Sequence, residues 1–175
     1  METIINVKDK IRSVNNFPKP GIVFRDITTA LKDSETLRVM IDYLCNQFKD
    51  VKIDYIAGIE SRGFIFGMPM AYKMNAGFVP VRKPNKLPAE TYSQEYALEY
   101  GTDTIEVHKD AIPQGANVLI VDDLLATGGT AEAACKLIQK TGGNLVGIAF
   151  LIELEALNGR EKLKSAPRIV SMLKY

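Results

Sequence analysis

Residues 116–121 are apolar except for Asn117, and this run most restricts the fold that the chain can adopt. A strand without polar alternation is typical of a sheet covered on both faces, which in turn is typical of parallel sheets. Further strands are predicted near residues 53–59, 77–81 and 145–154, and segments with helical periodicity lie between them. The alternation predicts an α/β protein with a Rossmann-like parallel sheet flanked by helices.

Length and local composition predict how the chain is organised around that sheet. With 175 residues, the chain is long enough for a substantial core, and we expect a single domain over residues 1–175. Prolines and a glycine interrupt the N-terminal part, so we expect a small hood built mainly from residues 1–33. Residues 83–103 are polar, contain two prolines and lack a helical period. They predict a long mobile loop that ends in a hairpin, and a loop of that length is usually functional or disordered.

The charge balance argues against two classes of partner. Lys and Arg number 22 against 21 Asp and Glu, so bulk charge favours neither nucleic acid nor an anionic membrane. No apolar run approaches the about 18 residues that a membrane-spanning helix requires. Cys45 and Cys135 fall on apolar helical stripes and are expected to be buried free thiols. We therefore expect a soluble cytoplasmic protein.

The segment that follows the apolar run carries the chemistry. Asp122 and Asp123 stand at the end of the predicted strand, and a Thr-Gly-Gly-Thr turn then leads into a helix. Glycines let the backbone approach an anion closely, and the turn offers N–H groups and hydroxyls to phosphate oxygens. Neighbouring carboxylates accept hydrogen bonds from a vicinal diol, so ribose 5-phosphate fits both halves. The alternative is that the aspartates merely end a strand and Thr127 caps a helix. The P-loop lysine and the G-x-G-x-x-G pattern are both missing from this segment.

The whole segment 118–130 resembles the phosphoribosyl pyrophosphate (PRPP) signature of the type I phosphoribosyltransferases. Its Leu-Leu-Ala-Thr-Gly-Gly-Thr form is similar to that of the adenine phosphoribosyltransferases. Three other segments resemble the same family in the same order: residues 17–28 its adenine-site segment, residues 60–64 its pyrophosphate loop, and residues 82–101 its mobile catalytic loop. With residues 153–163, the resemblance spans nearly the whole chain. Thr29 departs from it, because the family usually has proline there.

The resemblance implies a reaction in purine salvage: adenine and PRPP give AMP and pyrophosphate in the presence of Mg²⁺. Catalysis of this kind depends on positioning and electrostatic stabilisation rather than on a protein nucleophile. The resemblance also implies that Mg²⁺ is held mainly by PRPP, pyrophosphate and water, and not directly by side chains, in keeping with its reluctance to dehydrate. Homodimers are usual in the family and are expected here.

The resemblance assigns candidate roles to individual residues. Glu99 is the candidate for proton handling on adenine, although an exposed strand carboxylate is an equal alternative. Arg62 is the second catalytic candidate. The ribose-phosphate group of PRPP is expected to contact Asp122, Asp123, Ala126, Thr127, Gly128, Gly129 and Thr130. Pyrophosphate is expected to contact Ser61, Arg62, Arg82, Lys83 and Lys86. Adenine is expected to contact Val23, Phe24, Arg25 and Leu124.

Ala126 bears on the choice of base. Enzymes of the family that use hypoxanthine or guanine usually have aspartate at this position, where it interacts with purine N7. Alanine lacks that capacity, which favours a 6-aminopurine over hypoxanthine or xanthine. A PRPP-sensing regulator is the alternative from another class. It is disfavoured because such proteins generally add a DNA-binding domain, for which the chain offers little room or charge before the strand predicted at residue 53.

Overall fold

The computed structural model describes residues 7–97 and 101–175. The described residues fall into two compact units, which divide between Tyr43 and Leu44. A single domain with a hood over residues 1–33 stays a prediction. Within the described ranges, no helix combines the length and the apolar character that crossing a membrane requires.

The N-terminal unit contains a short antiparallel ribbon and helical segments. The ribbon pairs β1 (Arg12–Asn15) with β2 (Val23–Asp26), and α1 (Thr28–Leu31) follows directly. The next helix, α2 (Ser34–Asn46), begins where the Thr36 N–H donates to the Asp33 carboxylate at 2.8 Å. A side-chain acceptor at that position satisfies a backbone donor that the helix itself leaves unpaired, so Asp33 acts as the N-cap.

The C-terminal unit carries most of the regular structure. Its strands are β3 (Tyr55–Ile59), β4 (Gly77–Val81), β5 (Thr91–Ala97), β6 (Thr102–His108), β7 (Asn117–Leu125), β8 (Asn144–Glu153) and β9 (Ile169–Lys174). Its helices are α3 (Arg62–Met74) and α4 (Gly129–Thr141), and two 3-10 turns follow at Glu155–Leu157 and Gly159–Leu163.

The central sheet has five parallel strands in the order β4-β3-β7-β8-β9, which confirms the predicted parallel sheet. Helices cover both faces. Ala57 of β3 packs in the same apolar cluster as Leu137 and Ile138 of α4. The next residue, Gly58, points to the opposite face. A Cβ atom there would lie 3.2 Å from the Phe64 side chain of α3. The apolar run in β7 is buried on both faces because a helix lies over each.

Within the predicted loop over residues 83–103, residues 83–90 belong to no strand, whereas residues 91–97 and 102–103 do. Strand β5 lies inside it and pairs with β6 in an antiparallel hairpin, in which Tyr96 is opposite Asp103. Glu106 of β6 pairs with Ser93 of β5, and an antiparallel bridge joins it on its other side to Arg82, next to the end of β4. The hairpin was predicted, and its second strand begins at Thr102, inside the range predicted as a loop. Only Tyr96 of β5 is buried, so this strand has no apolar face that a sequence pattern could reveal.

Candidate active site

A cleft of about 230 Å³ opens at the carboxyl edge of the central sheet, where β3 and β7 both end. Its walls contain Ile59, Glu60, Ser61, Arg62, Lys83, Tyr96, Asp122, Asp123, Leu124, Ala126 and Thr130. In parallel sheets, ligands bind in crevices beyond the carboxyl ends of the strands. The cleft brings together residues that the sequence assigned to separate phosphate, diol and pyrophosphate subsites.

Two adjacent carboxylates form the deepest part of this cleft. Burial and then the neighbouring Asp123 charge raise the pKa of Asp122 well above its ordinary value. Burial also raises the pKa of Asp123, although the Arg62 guanidinium opposes that shift. Arg62 Nε lies 2.9 Å from Asp123 Oδ2, and the Asp123 N–H donates to Asp122 Oδ1 at 2.9 Å. The two carboxylates lie close to the Arg62 guanidinium. Because carboxylate oxygens accept hydrogen bonds, the site favours a ligand that donates them.

Gly63 allows α3 to begin directly against the end of β7. A Cβ atom at this position would lie 2.6 Å from the Val121 carbonyl oxygen and 3.2 Å from Asp122 Oδ1. No real Cβ atom tolerates the first distance, so any side chain would move the start of the helix. Because Arg62 precedes Gly63, this close packing is what sets the guanidinium beside Asp123.

The 122–130 turn comprises the end of β7, the connecting residues 126–128 and the start of α4. It adjoins a second cavity of about 70 Å³. Gly128 lies in the left-handed region with φ +80°, a conformation that favours glycine. The first N–H groups of a helix have no partner within it, and they attract anions. The second cavity is lined by Asp122, Leu124, Leu125, Ala126, Thr127, Gly128, Gly129, Thr130 and Ala131. Four of these, Asp122, Leu124, Ala126 and Thr130, also line the larger cleft, so the two cavities are adjacent.

Glu60 organises the start of the segment that leads to the hairpin. Its carboxylate accepts hydrogen bonds from Arg82 Nε and Arg82 Nη2, each at 3.2 Å, and from the Lys83 N–H at 2.9 Å. Arg82 Nη1 also donates to the Lys86 carbonyl oxygen at 3.2 Å. The hydrogen bond from Arg82 lowers the pKa of Glu60. In this conformation the Arg82 guanidinium is bound within the protein.

The Lys83 ammonium lies between two hairpin side chains. It donates to the Asp103 carboxylate and, at 3.0 Å, to the Tyr96 hydroxyl. Burial opposes ionisation of Lys83, but the hydrogen bonds that Lys83 donates to Asp103 and Tyr96 outweigh it and raise the pKa of Lys83. The hydrogen bond from Lys83 lowers the pKa of Asp103. Lys83 is thus charged and half-buried at the edge of the cleft.

The remaining candidate residues lie elsewhere. Glu99 falls outside the described residues, so its role stays a prediction. Val23, Phe24 and Arg25 belong to β2 of the N-terminal unit. There the Phe24 ring meets Phe17 edge-on, with centroids 5.3 Å apart.

Sequence reasoning missed the residues that hold the basic side chains. Glu60 stood inside a segment that had been singled out, but a carboxylate beside a pyrophosphate site attracts little notice in a sequence. Asp103 and Tyr96 were overlooked because only the hairpin register brings them to Lys83. The signal that could have found them is the cross-strand pair of Tyr96 and Asp103 in the predicted hairpin.

Among residues 7–97 and 101–175, no three His, Cys, Asp or Glu side chains converge as they would around a metal ion.

Sequence and structure comparisons relate the chain to known proteins. The family described as phosphoribosyl transferase domain matches residues 29–172. The adenine phosphoribosyltransferase of Trichodesmium erythraeum is 58% identical over 171 residues, which cover 98% of this chain and 100% of that protein. The crystal structure of adenine phosphoribosyltransferase from Thermoanaerobacter pseudethanolicus is 52% identical, with a TM-score of 0.95 and coverage of 98% of this chain and 99% of that one.

A more distant structure supports the same relationship. Adenine phosphoribosyltransferase from Saccharomyces cerevisiae, solved with an imino-altritol bisphosphate and adenine, is 43% identical and has a TM-score of 0.92. The match covers 98% of this chain and 99% of the yeast protein. Similarity in sequence and in fold therefore extends over almost the entire chain.

Proposed function

The chain belongs to the phosphoribosyltransferase family, and from this membership we propose that it transfers the phosphoribosyl group of PRPP to adenine, yielding AMP and pyrophosphate in purine salvage. The observation that carries the proposal is the cleft at the ends of β3 and β7, in which paired carboxylates, a guanidinium and a glycine-rich helix start line one continuous surface. The ligand that this surface suits has a vicinal diol between two phosphate groups, as PRPP does.

Each half of PRPP has its own proposed partners. The 5-phosphate binds the N–H groups and hydroxyls of residues 126–130, supported by the cavity beside the start of α4. The ribose hydroxyls donate to Asp122 and Asp123. Pyrophosphate binds Ser61, Arg62 and Lys86. It also binds Arg82 and Lys83 once these two side chains exchange their present partners for phosphate oxygens.

The proposed reaction is a displacement at C1 of the ribose. The lone pair of adenine N9 forms a bond to C1 while the bond from C1 to the pyrophosphate oxygen breaks. Pyrophosphate leaves with that electron pair, and N9 loses its proton, for which Glu99 is the proposed acceptor. Positive charge grows on the sugar beside the two aspartates, and negative charge grows on the leaving group beside Arg62. Preorganised charges of this kind stabilise a transition state without reorganisation during the reaction.

The adenine site is proposed from residues of the N-terminal unit together with Leu124. Phe24 is half-buried and Val23 is 43% exposed, so both retain surface for a ligand. In this proposal Phe24 stacks on the purine ring, the backbone groups of Val23 and Arg25 contact its edge, and Leu124 covers the opposite ring face. Ala126 supports the choice of a 6-aminopurine, because its methyl group cannot interact with N7 as an aspartate would.

Mg²⁺ is the proposed cofactor and fits the oxygen-rich wall of the cleft. Mg²⁺ prefers oxygen ligands and retains several waters, so substrate oxygens would complete its coordination. Asp122 and Asp123 would hold it through water, since Asp123 Oδ2 already contacts Arg62. When bound, the ion neutralises charge on the pyrophosphate group.

A homodimer is proposed from the outer side of α3. Ile65, Met68 and Tyr72 follow one another at helical spacing and are 40%, 51% and 90% exposed. An apolar stripe of this kind on a single chain is typical of a contact surface, and a second copy is its proposed occupant.

We also propose a cytoplasmic location, in keeping with the buried free thiols Cys45 and Cys135.

The decisive experiment is an assay of the purified protein with PRPP, Mg²⁺ and one base at a time: adenine, hypoxanthine, guanine or xanthine. Efficient nucleotide formation from adenine alone, abolished by a chelator of divalent cations, is the expected result. Preference for another base would contradict the adenine assignment while leaving the PRPP site in place. Binding of PRPP without reaction on any base would instead favour a PRPP-sensing protein.

A further inference from the structure

A segment that contains Gly159 lies directly behind the 122–130 turn. The residues that follow β8 pass this turn so closely that backbone meets backbone. A Cβ atom at Gly128 would lie 2.3 Å from the Gly159 carbonyl oxygen, and a Cβ atom at Gly159 would lie 2.3 Å from the Ala126 carbonyl oxygen. The φ of Gly159 is outside the left-handed region, so the position requires glycine for space and not for backbone conformation.

The segment behind the turn is itself tied to the sheet. Arg160 Nε and Nη2 donate to the two carboxylate oxygens of Glu153, at 2.6 and 2.7 Å. Arg160 also donates to the Ile169 carbonyl oxygen at 3.2 Å and to Ser171 Oγ at 3.3 Å, both in β9. The Glu153 side chain is only 6% exposed. A two-pronged contact of guanidinium with carboxylate fixes orientation as well as distance, so Gly159 is held in place from the adjacent residue.

We propose that Gly159 is a positioning residue for PRPP, which acts by fixing the backbone of residues 126–128 in the shape that binds the 5-phosphate. The inference rests on the proposed function and adds to it a determinant outside the cleft. Gly159 does not line either cavity, but it contacts the backbone of Ala126 and Gly128, which line the phosphate subsite. Arg160 and Glu153 act indirectly, by holding Gly159 in place.

The consequence of adding a methyl group at Gly159 follows from these contacts. The methyl group must displace the carbonyl of Ala126 or the amide nitrogen of Gly128, which would lie 3.1 Å from it. Either shift moves N–H groups away from the 5-phosphate, and a displacement of about 1 Å costs catalysis on the order of 100-fold. The loss belongs to PRPP binding, because the adenine subsite is formed by other residues.

The test compares Gly159→Ala with Gly147→Ala, a matched variant in the same unit. A Cβ atom at Gly147 would lie 2.6 Å from the Phe48 ring and 3.1 Å from the Arg168 carbonyl oxygen, so this variant is also overpacked. Thermal unfolding measures the structural cost in both, steady-state kinetics give separate KM values, and calorimetry gives the Kd of PRPP. We expect Gly159→Ala to raise the KM and Kd of PRPP by about 100-fold with the KM of adenine unchanged. Gly147→Ala should lower Tm and leave both PRPP constants at the wild-type values.

Equal PRPP constants in wild type and Gly159→Ala would overturn the proposal, and so would an equal rise in Gly147→Ala. Wild-type protein that binds PRPP but forms no AMP would contradict the proposed function, while the Kd would still test the positioning role. If Gly159→Ala does not fold, Arg160→Lys replaces it. Lysine keeps the positive charge opposite Glu153 but cannot make the two parallel hydrogen bonds of the guanidinium. The Kd of PRPP should then rise about tenfold, with little change in Tm. An unchanged Kd in that variant would contradict the proposal.

Discussion

The 122–130 turn and the hairpin segment of residues 82–108 both border the cleft, but different kinds of contact hold them. The turn is fixed by buried carboxylates and by backbone packed against backbone at Gly63, Gly128 and Gly159. The hairpin segment is held over the cleft by ion pairs of half-exposed side chains, Arg82 with Glu60 and Lys83 with Asp103.

Because of this difference, the turn is preorganised, whereas the ion pairs of the hairpin segment can exchange partners. Close backbone packing has no alternative arrangement of similar free energy, because a shift of a few tenths of an ångström creates overlap. A partly exposed ion pair is worth little, and phosphate oxygens can replace its carboxylate. We therefore expect the turn to bind PRPP without rearrangement, and the basic side chains of the hairpin segment to change partners when pyrophosphate arrives.

The largest expected effect comes from removing both carboxylates. Asp122→Asn with Asp123→Asn takes away two charged acceptors of the ribose hydroxyls, each worth about 1.5–3 kcal/mol. We expect kcat/KM for PRPP to fall on the order of 1,000-fold. Circular dichroism should show an unchanged fold, and activity like that of the wild type would contradict the ribose assignment.

The same double substitution is expected to lower activity but to raise stability, and the gain in stability depends on pH. Because the pKa values of both aspartates are raised on folding, the folded state binds protons more tightly than the unfolded chain. The free energy of unfolding therefore falls as pH rises from the ordinary value of 3.8 through the raised values. The double asparagine variant should have a higher Tm than wild type at pH 7 and lose that difference in acid. Wild-type affinity for PRPP should decline as pH falls through the raised pKa values, because protonated carboxyls accept hydrogen bonds poorly.

Gly63→Ala tests the backbone packing on the other side of the cleft. The methyl group overlaps the Val121 carbonyl, so the start of α3 must move and carry Arg62 away from Asp123. We expect about 100-fold lower kcat/KM together with a lower Tm. Gly77→Ala is the control, since its methyl group meets only the Tyr55 ring, and it should affect Tm alone. Similar kinetic losses in both variants would show that packing at Gly63 has no special connection to the site.

Glu60→Gln tests the contacts that tie the hairpin segment to the cleft wall. Glutamine keeps the shape of Glu60 but loses the charge that accepts two hydrogen bonds from Arg82 and one from the Lys83 backbone. The Lys83 backbone N–H keeps its hydrogen bond to Glu60 when the Arg82 guanidinium turns to pyrophosphate, so Glu60 positions Lys83. A hydrogen bond to a charged group contributes about 1.5–3 kcal/mol, and we expect its loss to lower kcat/KM for PRPP about tenfold. Steady-state kinetics at saturating adenine measure it, and a change confined to the KM of adenine would contradict this role.

The smallest effect is expected at the exchangeable pair. Asp103→Asn removes the carboxylate that competes with pyrophosphate for Lys83, so the KM of PRPP should decrease. A partly exposed pair contributes about 0.2–1 kcal/mol, which limits the change to less than about sixfold. Asp50→Asn breaks the exposed pair with Arg168 elsewhere in the unit and should leave this KM unchanged. A higher KM in Asp103→Asn would mean that the hairpin pair is part of the binding conformation.

Prediction from sequence succeeded where the pattern is local. The apolar run of β7, the two aspartates and the Thr-Gly-Gly-Thr turn follow one another within residues 118–130, so strand, turn and helix could be predicted from one segment. The boundaries of the hairpin were less accessible. Strand β5 has a single buried side chain, and pairing with β6 rather than an apolar face makes it a strand.

The amino-acid sequence by itself determined the parallel α/β fold, the family and the chemistry of the turn, because each depends on residues that are neighbours along the chain. Only the tertiary structure decided which charges face one another. Glu60 meets Arg82, Asp103 meets Lys83, and Gly159 meets Gly128 through strand register and through crossovers that no periodicity encodes. The physical reason is that side-chain and backbone contacts act over a few ångströms. Residues far apart in the chain can therefore influence one another only after the sheet has brought them together.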